Sequence, residues 1–160
     1  MAGFGAPEEN ETVDAAGLTL GIAATRWHAD LVDHMLERAR AAAVACGVKP
    51  DDVRVMRVAG SVELPVVSQA LARCYDAVVA LGVVVRGDTA HFDYVCKSVT
   101  EGLTRVALDE GTPVGQGVLT VNTLDQARDR AGLPGSTEDK GWASTIAALE
   151  AALALRSLGA

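Results

Sequence analysis

The stretch Asp76–Val99, DAVVALGVVVRGDTAHFDYVCKSV, decides the fold. Its first half, Ala77–Val85, is a run of nine apolar residues, Gly82 included, bounded by Asp76 and Arg86. That is too short to cross a bilayer, and its valine content favours a strand buried on both faces. Arg86-Gly87-Asp88-Thr89 then breaks the run with turn and helix-capping chemistry. Beyond it, Val95, Val99, Leu103 and Val106 recur at the spacing of one helix face. A strand, a polar turn and a helix in that order put the turn at the carboxyl end of a strand, where open α/β sheets bind ligands. Gly87, Thr89 and His91 then stand at the positive end of a helix, suited to an anion and to a proton shuttle.

The same alternation extends in both directions. Leu18–Ala24 reads as a first strand, and a helix follows with Leu31, Met35, Ala39, Ala42 and Cys46 on one face, stopped by Gly47. Pro50-Asp51-Asp52 turns the chain into a second strand, Val53–Val58, and Pro65 opens a helix that runs to about Arg73. After the central strand and its helix, Gly111 and Pro113 end that helix and Val118–Val121 lies in a fourth strand. Thr123–Ala131 is a short polar helix. From Glu138 a last helix carries Trp142, Ile146, Leu149 and Leu153 as its apolar stripe. This pattern predicts a flavodoxin-like, doubly wound sheet of four parallel strands in a three-layer αβα sandwich. Residues 1–16 read as a flexible arm without periodicity, and residues 17–160 as one domain.

A formal charge of −7 without a Lys/Arg cluster argues against nucleic acid, and no membrane segment or signal peptide is visible. Three cysteines without C-x-x-C spacing point to reduced thiols and a cytoplasmic setting. His28 and His34 lack metal-ligand spacing, so no metal is expected. The turns after the first three strands gather Arg26-Trp27-His28, Ser61-Val62-Glu63 and Arg86–His91 at one sheet edge. From the residues alone Trp27 is a ligand plate or ordinary packing. Glu63 is a hydrogen-bond acceptor for a ligand or a group serving its own helix start. His91 is a general acid/base or a surface histidine.

The runs Gly60-Ser61-Val62-Glu63-Leu64-Pro65 and Ala80–Cys96 resemble the lumazine synthase family. Gly117–Thr123, Gln126-Ala127 with Arg130, and Lys140-Gly141 extend the likeness over about Leu18–Leu155. The resemblance implies condensation of 5-amino-6-ribitylamino-uracil with 3,4-dihydroxy-2-butanone 4-phosphate, the penultimate step of riboflavin synthesis, without cofactor. It implies that Trp27 stacks on the pyrimidine and that Ser61, Val62 and Glu63 hold the ribityl chain. Val83 and Val84 offer backbone groups to the pyrimidine, Gly87, Asp88 and Thr89 meet the phosphate, and His91 moves protons. Gln116, Arg130 and Lys140 complete the site, Arg130 at the phosphate, Gln116 near the pyrimidine, and Lys140 tuning charge.

The topology predicts these last three at the sheet edge opposite His91, so a neighbouring subunit has to supply them. That agrees with the family's pentamers and shells of twelve pentamers, with riboflavin synthase as a candidate partner. Ser61 stands where alanine is expected and adds a hydroxyl; Gln116 replaces a residue that is often aromatic; Asp88 puts a carboxylate beside the phosphate. The segment Gly132–Asp139, with Pro134, is longer and stiffer than the turn of shell-forming members and favours a free pentamer. A binding or shell-forming protein without useful catalysis is the competing class. The combination of His91, Arg130, Lys140 and the Gly87-Asp88-Thr89 turn favours the enzyme.

Overall fold

A computed structural model describes residues 11–160. Its elements are β1 (Leu20–Thr25), α1 (Ala29–Ala45), β2 (Val53–Val58), α2 (Leu64–Ala72), β3 (Ala77–Val85), α3 (His91–Glu110), β4 (Val114–Val121), α4 (Leu124–Arg128) and α5 (Lys140–Ser157). Short 3-10 turns at Pro50–Asp52 and Ser61–Glu63 lead into β2 and α2. All four strands are parallel, in the order β2-β1-β3-β4.

Strand position explains strand composition. Every residue of β1 is buried and β3 is buried through Val83, since helices cover both faces of the two central strands. The edge strands β2 and β4 alternate instead, with Arg54, Met56, Gln116 and Thr120 exposed. One core layer joins the sheet to α1 and α5 through Leu20, Ile22, Met35, Leu81, Leu119 and Leu149; the other joins it to α2 and α3 through Leu64, Val78, Ala80, Val99 and Leu103.

Several boundaries moved for local reasons, among them the start of α5, which lies at Lys140 rather than Glu138 because the Asp139 carboxylate accepts from Trp142 N–H and caps the helix. Leu18 donates its N–H to Ala15 O in a turn with Gly17 at φ 87°, so β1 starts at Leu20, and it runs on to Thr25, which pairs with Val58. The polar helix shrinks to Leu124–Arg128 behind a capping box between Thr123 and Gln126. Positions 1–10 of the expected arm lie outside the described residues. Residues 11–16, by contrast, are docked. Ala15 is fully buried and donates to Cys46 O, and Glu11 O accepts from the Trp142 indole. Of the three cysteines only Cys46 is a core residue; Cys74 is exposed and Cys96 is half-buried. Burial and the nearby Asp93 push the Cys96 thiol up. Among the described residues no helix is long and apolar enough to cross a membrane.

Candidate active site

β1 and β3 separate at their carboxyl ends. Their ladder stops at Ala24↔Leu81, whereas β3 stays paired with β4 to Val85↔Val121. The side of β3 that faces away from β4 therefore has no strand partner beyond Leu81, and its peptide groups there are open to a ligand. The chain leaves β1 toward β2 on one side and reaches β3 on the other, so the gap is a topological switch point. A cavity of ≈ 490 Å³ fills it.

Three turns and one strand end build the walls. Trp27 and His28 come from the turn after β1, Ser61, Val62 and Glu63 from the turn after β2, Val83–Val85 from β3, and Gly87, Thr89, His91 and Phe92 from the start of α3. The Trp27 indole packs closely against Gly60, where an added Cβ would be 2.5 Å from the ring, yet it remains 66% exposed. An aromatic face held from one side and open on the other can take a planar ring. Glu63 Oε2 accepts from Gly60 N–H at 3.1 Å, which anchors the carboxylate at the cavity wall. Both readings of Glu63 are thus compatible: one oxygen serves its own turn while the carboxylate borders the cavity.

The Ser61 hydroxyl is turned away from the open side of the cavity that Ser61 lines. Its Oγ is sealed from solvent, has no hydrogen-bond partner, and lies over Gly82, where an added Cβ would come within 2.7 Å of it. A buried hydroxyl without a partner costs about 1–3 kcal/mol. Ser61→Ala is therefore expected to raise the thermal midpoint by about 2–4 °C per kcal/mol recovered, measured by calorimetry.

At the anion end, Thr89 Oγ1 accepts from His91 N–H at 3.3 Å, which fixes the turn against α3. Arg86 donates to Asn122 Oδ1 at 2.8 Å and lies over the Phe92 ring at 4.4 Å, which ties the end of β3 to the start of α3. Asp88 is not among the residues lining the cavity.

Gln116, Arg130 and Lys140 do not line this chain's cavity, and their expected common place at the opposite sheet edge is only partly right. Gln116 donates to Thr104 on α3 at 3.1 Å. Thr104 is thirteen positions along α3 from His91, about 20 Å. Arg130 and Lys140 are not at the amino edge. The far end of α5 is there, with Arg156 next to Asp76, so the start of α5 points toward the carboxyl side. What divides the two cations from His91 is the sheet itself: they flank α4 and α5 on the α1 face, whereas α3 is on the other.

Sequence reasoning placed His28 in the right turn but gave it no role, and it singled out neither Glu138 nor Phe92. Glu138 is shared by Arg130 at 3.3 Å and Lys140 at 3.4 Å, which leaves one net positive charge on the trio. The Glu-Asp-Lys run was a signal for Glu138; nothing local announced Phe92. The loop carrying the trio is tied down. Asp129 accepts from both the amide and the hydroxyl of Thr137, which holds its carboxyl below the usual carboxylate range. His34 Nε2 meets Gly132 O at 2.9 Å, and Arg38 pairs with Asp139 at 2.6 Å.

A doubly wound α/β chain with an exposed aromatic ring, an anchored carboxylate, open strand peptides and a polar turn at a helix start around one crevice belongs to the class of α/β proteins that take small molecules at a sheet edge. Comparison with known proteins narrows the class. Residues 17–156 match the family model for 6,7-dimethyl-8-ribityllumazine synthase. Proteins of that name from Salinispora arenicola, Thermobifida fusca and Mycobacterium leprae are 75%, 65% and 59% identical to this chain. In each case the match covers 99% of this chain, and 93%, 91% and 98% of the relative. The chain belongs to the 6,7-dimethyl-8-ribityllumazine synthase family, transferases of riboflavin biosynthesis.

Proposed function

We propose that this chain condenses 5-amino-6-ribitylamino-uracil with 3,4-dihydroxy-2-butanone 4-phosphate to 6,7-dimethyl-8-ribityllumazine. The observation that carries this is the convergence, in one cavity, of Trp27, Glu63, the unpaired side of β3 and the Gly87–His91 turn. The pyrimidine stacks on Trp27 and bonds to the peptides of Val83 and Val84, while Ser61, Val62 and Glu63 hold the ribityl chain. Since the Ser61 hydroxyl is turned inward, its share comes from the main chain. Gly87, Asp88 and Thr89 receive the phosphate, Asp88 through its amide.

The amine attacks the ketone and one water leaves as the imine forms. Phosphate is then eliminated, and the ribitylamino nitrogen closes the ring with loss of a second water. Each step moves a proton, and His91 beside the phosphate turn is the group to move it; holding both substrates in register supplies the rest of the acceleration.

Arg130, Lys140 and Gln116 reach this cavity from a neighbouring copy. The apolar rim, with Trp27, Val62 and Val66 exposed, is the surface that copy covers. A free cytoplasmic pentamer is the assembly we favour, because the Gly132–Asp139 segment is held by its own turn and by α1. Riboflavin synthase, which takes the product, remains the candidate partner.

Incubating the protein with both substrates and following lumazine absorbance against the uncatalysed background tests the reaction. Acceleration is the expected result. Binding of the pyrimidine with no acceleration would replace the enzyme by a binding protein.

A further inference from the structure

The turn that presents Trp27 is held by a chain of contacts that starts outside the cavity. His28, the next residue, has φ 55°, the only positive φ of a non-glycine among the described residues. A left-handed histidine persists only where its surroundings hold it. Three contacts do so. Trp27 N–H donates to Ala59 O at 3.1 Å, and the Thr25 hydroxyl donates to Trp27 O at 3.2 Å. Thr25 O in turn accepts from Arg57 Nη2 at 2.7 Å. Arg57 leaves β2 on the face that packs against α1, and its Nη1 pairs with Asp33 Oδ1 at 2.7 Å.

One planar guanidinium thus grips a main-chain carbonyl and a carboxylate at once, a fork that a lysine ammonium does not reproduce. Neither Arg57 nor Asp33 lines the cavity.

We propose that Arg57 is a positioning residue for the Trp27 plate, acting through Thr25 and braced by Asp33, and that it sets affinity for the planar-ring substrate. The kinetic half of this rests on the reading that Trp27 stacks on the pyrimidine; the mechanical half does not.

The test uses the full chain in a Trp142→Phe background, where Trp27 is the only tryptophan. Arg57→Met removes the fork and keeps the length. The expected result is about a tenfold rise in KM for the pyrimidine, with kcat and KM for the butanone phosphate within about twofold. Without substrates, acrylamide quenching of Trp27 should rise about twofold as the indole loosens from Gly60. Asp33→Ala, at an exposed position that the fold tolerates, should move both readouts the same way by a smaller factor. It also decides the question if Arg57→Met does not fold. Unchanged quenching in variants that fold and assemble normally overturns the proposal, as does an equal rise in both KM values. If the parent protein makes no lumazine, the proposed function fails, and quenching alone still decides whether Arg57 orders Trp27.

Discussion

On the proposed mechanism His91→Ala is expected to lower kcat by about 10²-fold with little change in either KM, since it removes the proposed proton-transfer group and leaves the other walls of the cavity in place. Arg130→Ala is expected to act differently. Losing one charge-assisted contact to a phosphate costs about 1.5–3 kcal/mol, or roughly 10- to 100-fold in KM for the butanone phosphate. The structure sharpens this contrast, because Arg130 flanks the core shared with α1 and α5, whereas His91 begins α3, which packs on the other core, and Arg130 does not line the cavity that holds His91.

Mixing the two variants during refolding tests the arrangement directly. In a ring where each site joins His91 of one copy to Arg130 of the next, random mixing restores about a quarter of the sites. Activity in verified mixed rings that stays at the average of the two parents would sink the shared site. It would leave Arg130 as a residue that serves only its own loop.

Gly115→Ala is the second large effect, and it is one of stability. A Cβ at Gly115 would stand 2.2 Å from Ser144 O and 3.2 Å from Ala148 Cβ. The first of these is backbone of α5, so no side chain can rotate away. Gly141 makes the matching approach on the other side, where an added Cβ would meet Met35 O of α1 at 2.4 Å. Helix α5 therefore lies on β4 and α1 at backbone contact and has nowhere to retreat. Overpacking costs about 1–3 kcal/mol even where side chains can adjust. Here about 3 kcal/mol or more is expected, a fall of roughly 6–12 °C in thermal midpoint. Gly87→Ala is the control, since nothing is within 4 Å of its added Cβ and the stability should not change. Because Asp139 caps α5 and Lys140 begins it, displacing the helix should also weaken binding of the phosphate substrate. Equal midpoints for the two variants would show that α5 can shift without cost.

Much of this architecture was legible because local chemistry and final structure agree. The valine run Ala77–Val85 became a strand with those ends, since Asp76 and Arg86 stop it on either side. Gly111, in the left-handed conformation at φ 63°, closes α3 as its sequence position suggested, and Pro65 is in the first turn of α2. The turns carrying Trp27, Ser61–Glu63 and Gly87–His91 were bound to meet once the strands were parallel, because parallel strands place all their carboxyl ends at one edge.

What tertiary structure alone decided are relations between distant segments. Whether Arg130 and Lys140 are divided from His91 by the sheet's length or by its thickness depends on the direction of α5, which the Arg156–Asp76 pair reveals and no local pattern encodes. The Ser61 hydroxyl could face the cavity or the strand beneath it, and only the approach of Gly82 turned it inward. The left-handed turn at His28 is held by Arg57, a residue of another strand. Periodicity and turn chemistry act over a few residues, so they determine which elements form and where they end. Side-chain direction and shared contacts are set by packing between elements far apart in the chain, and that is settled only when the sheet closes its two cores.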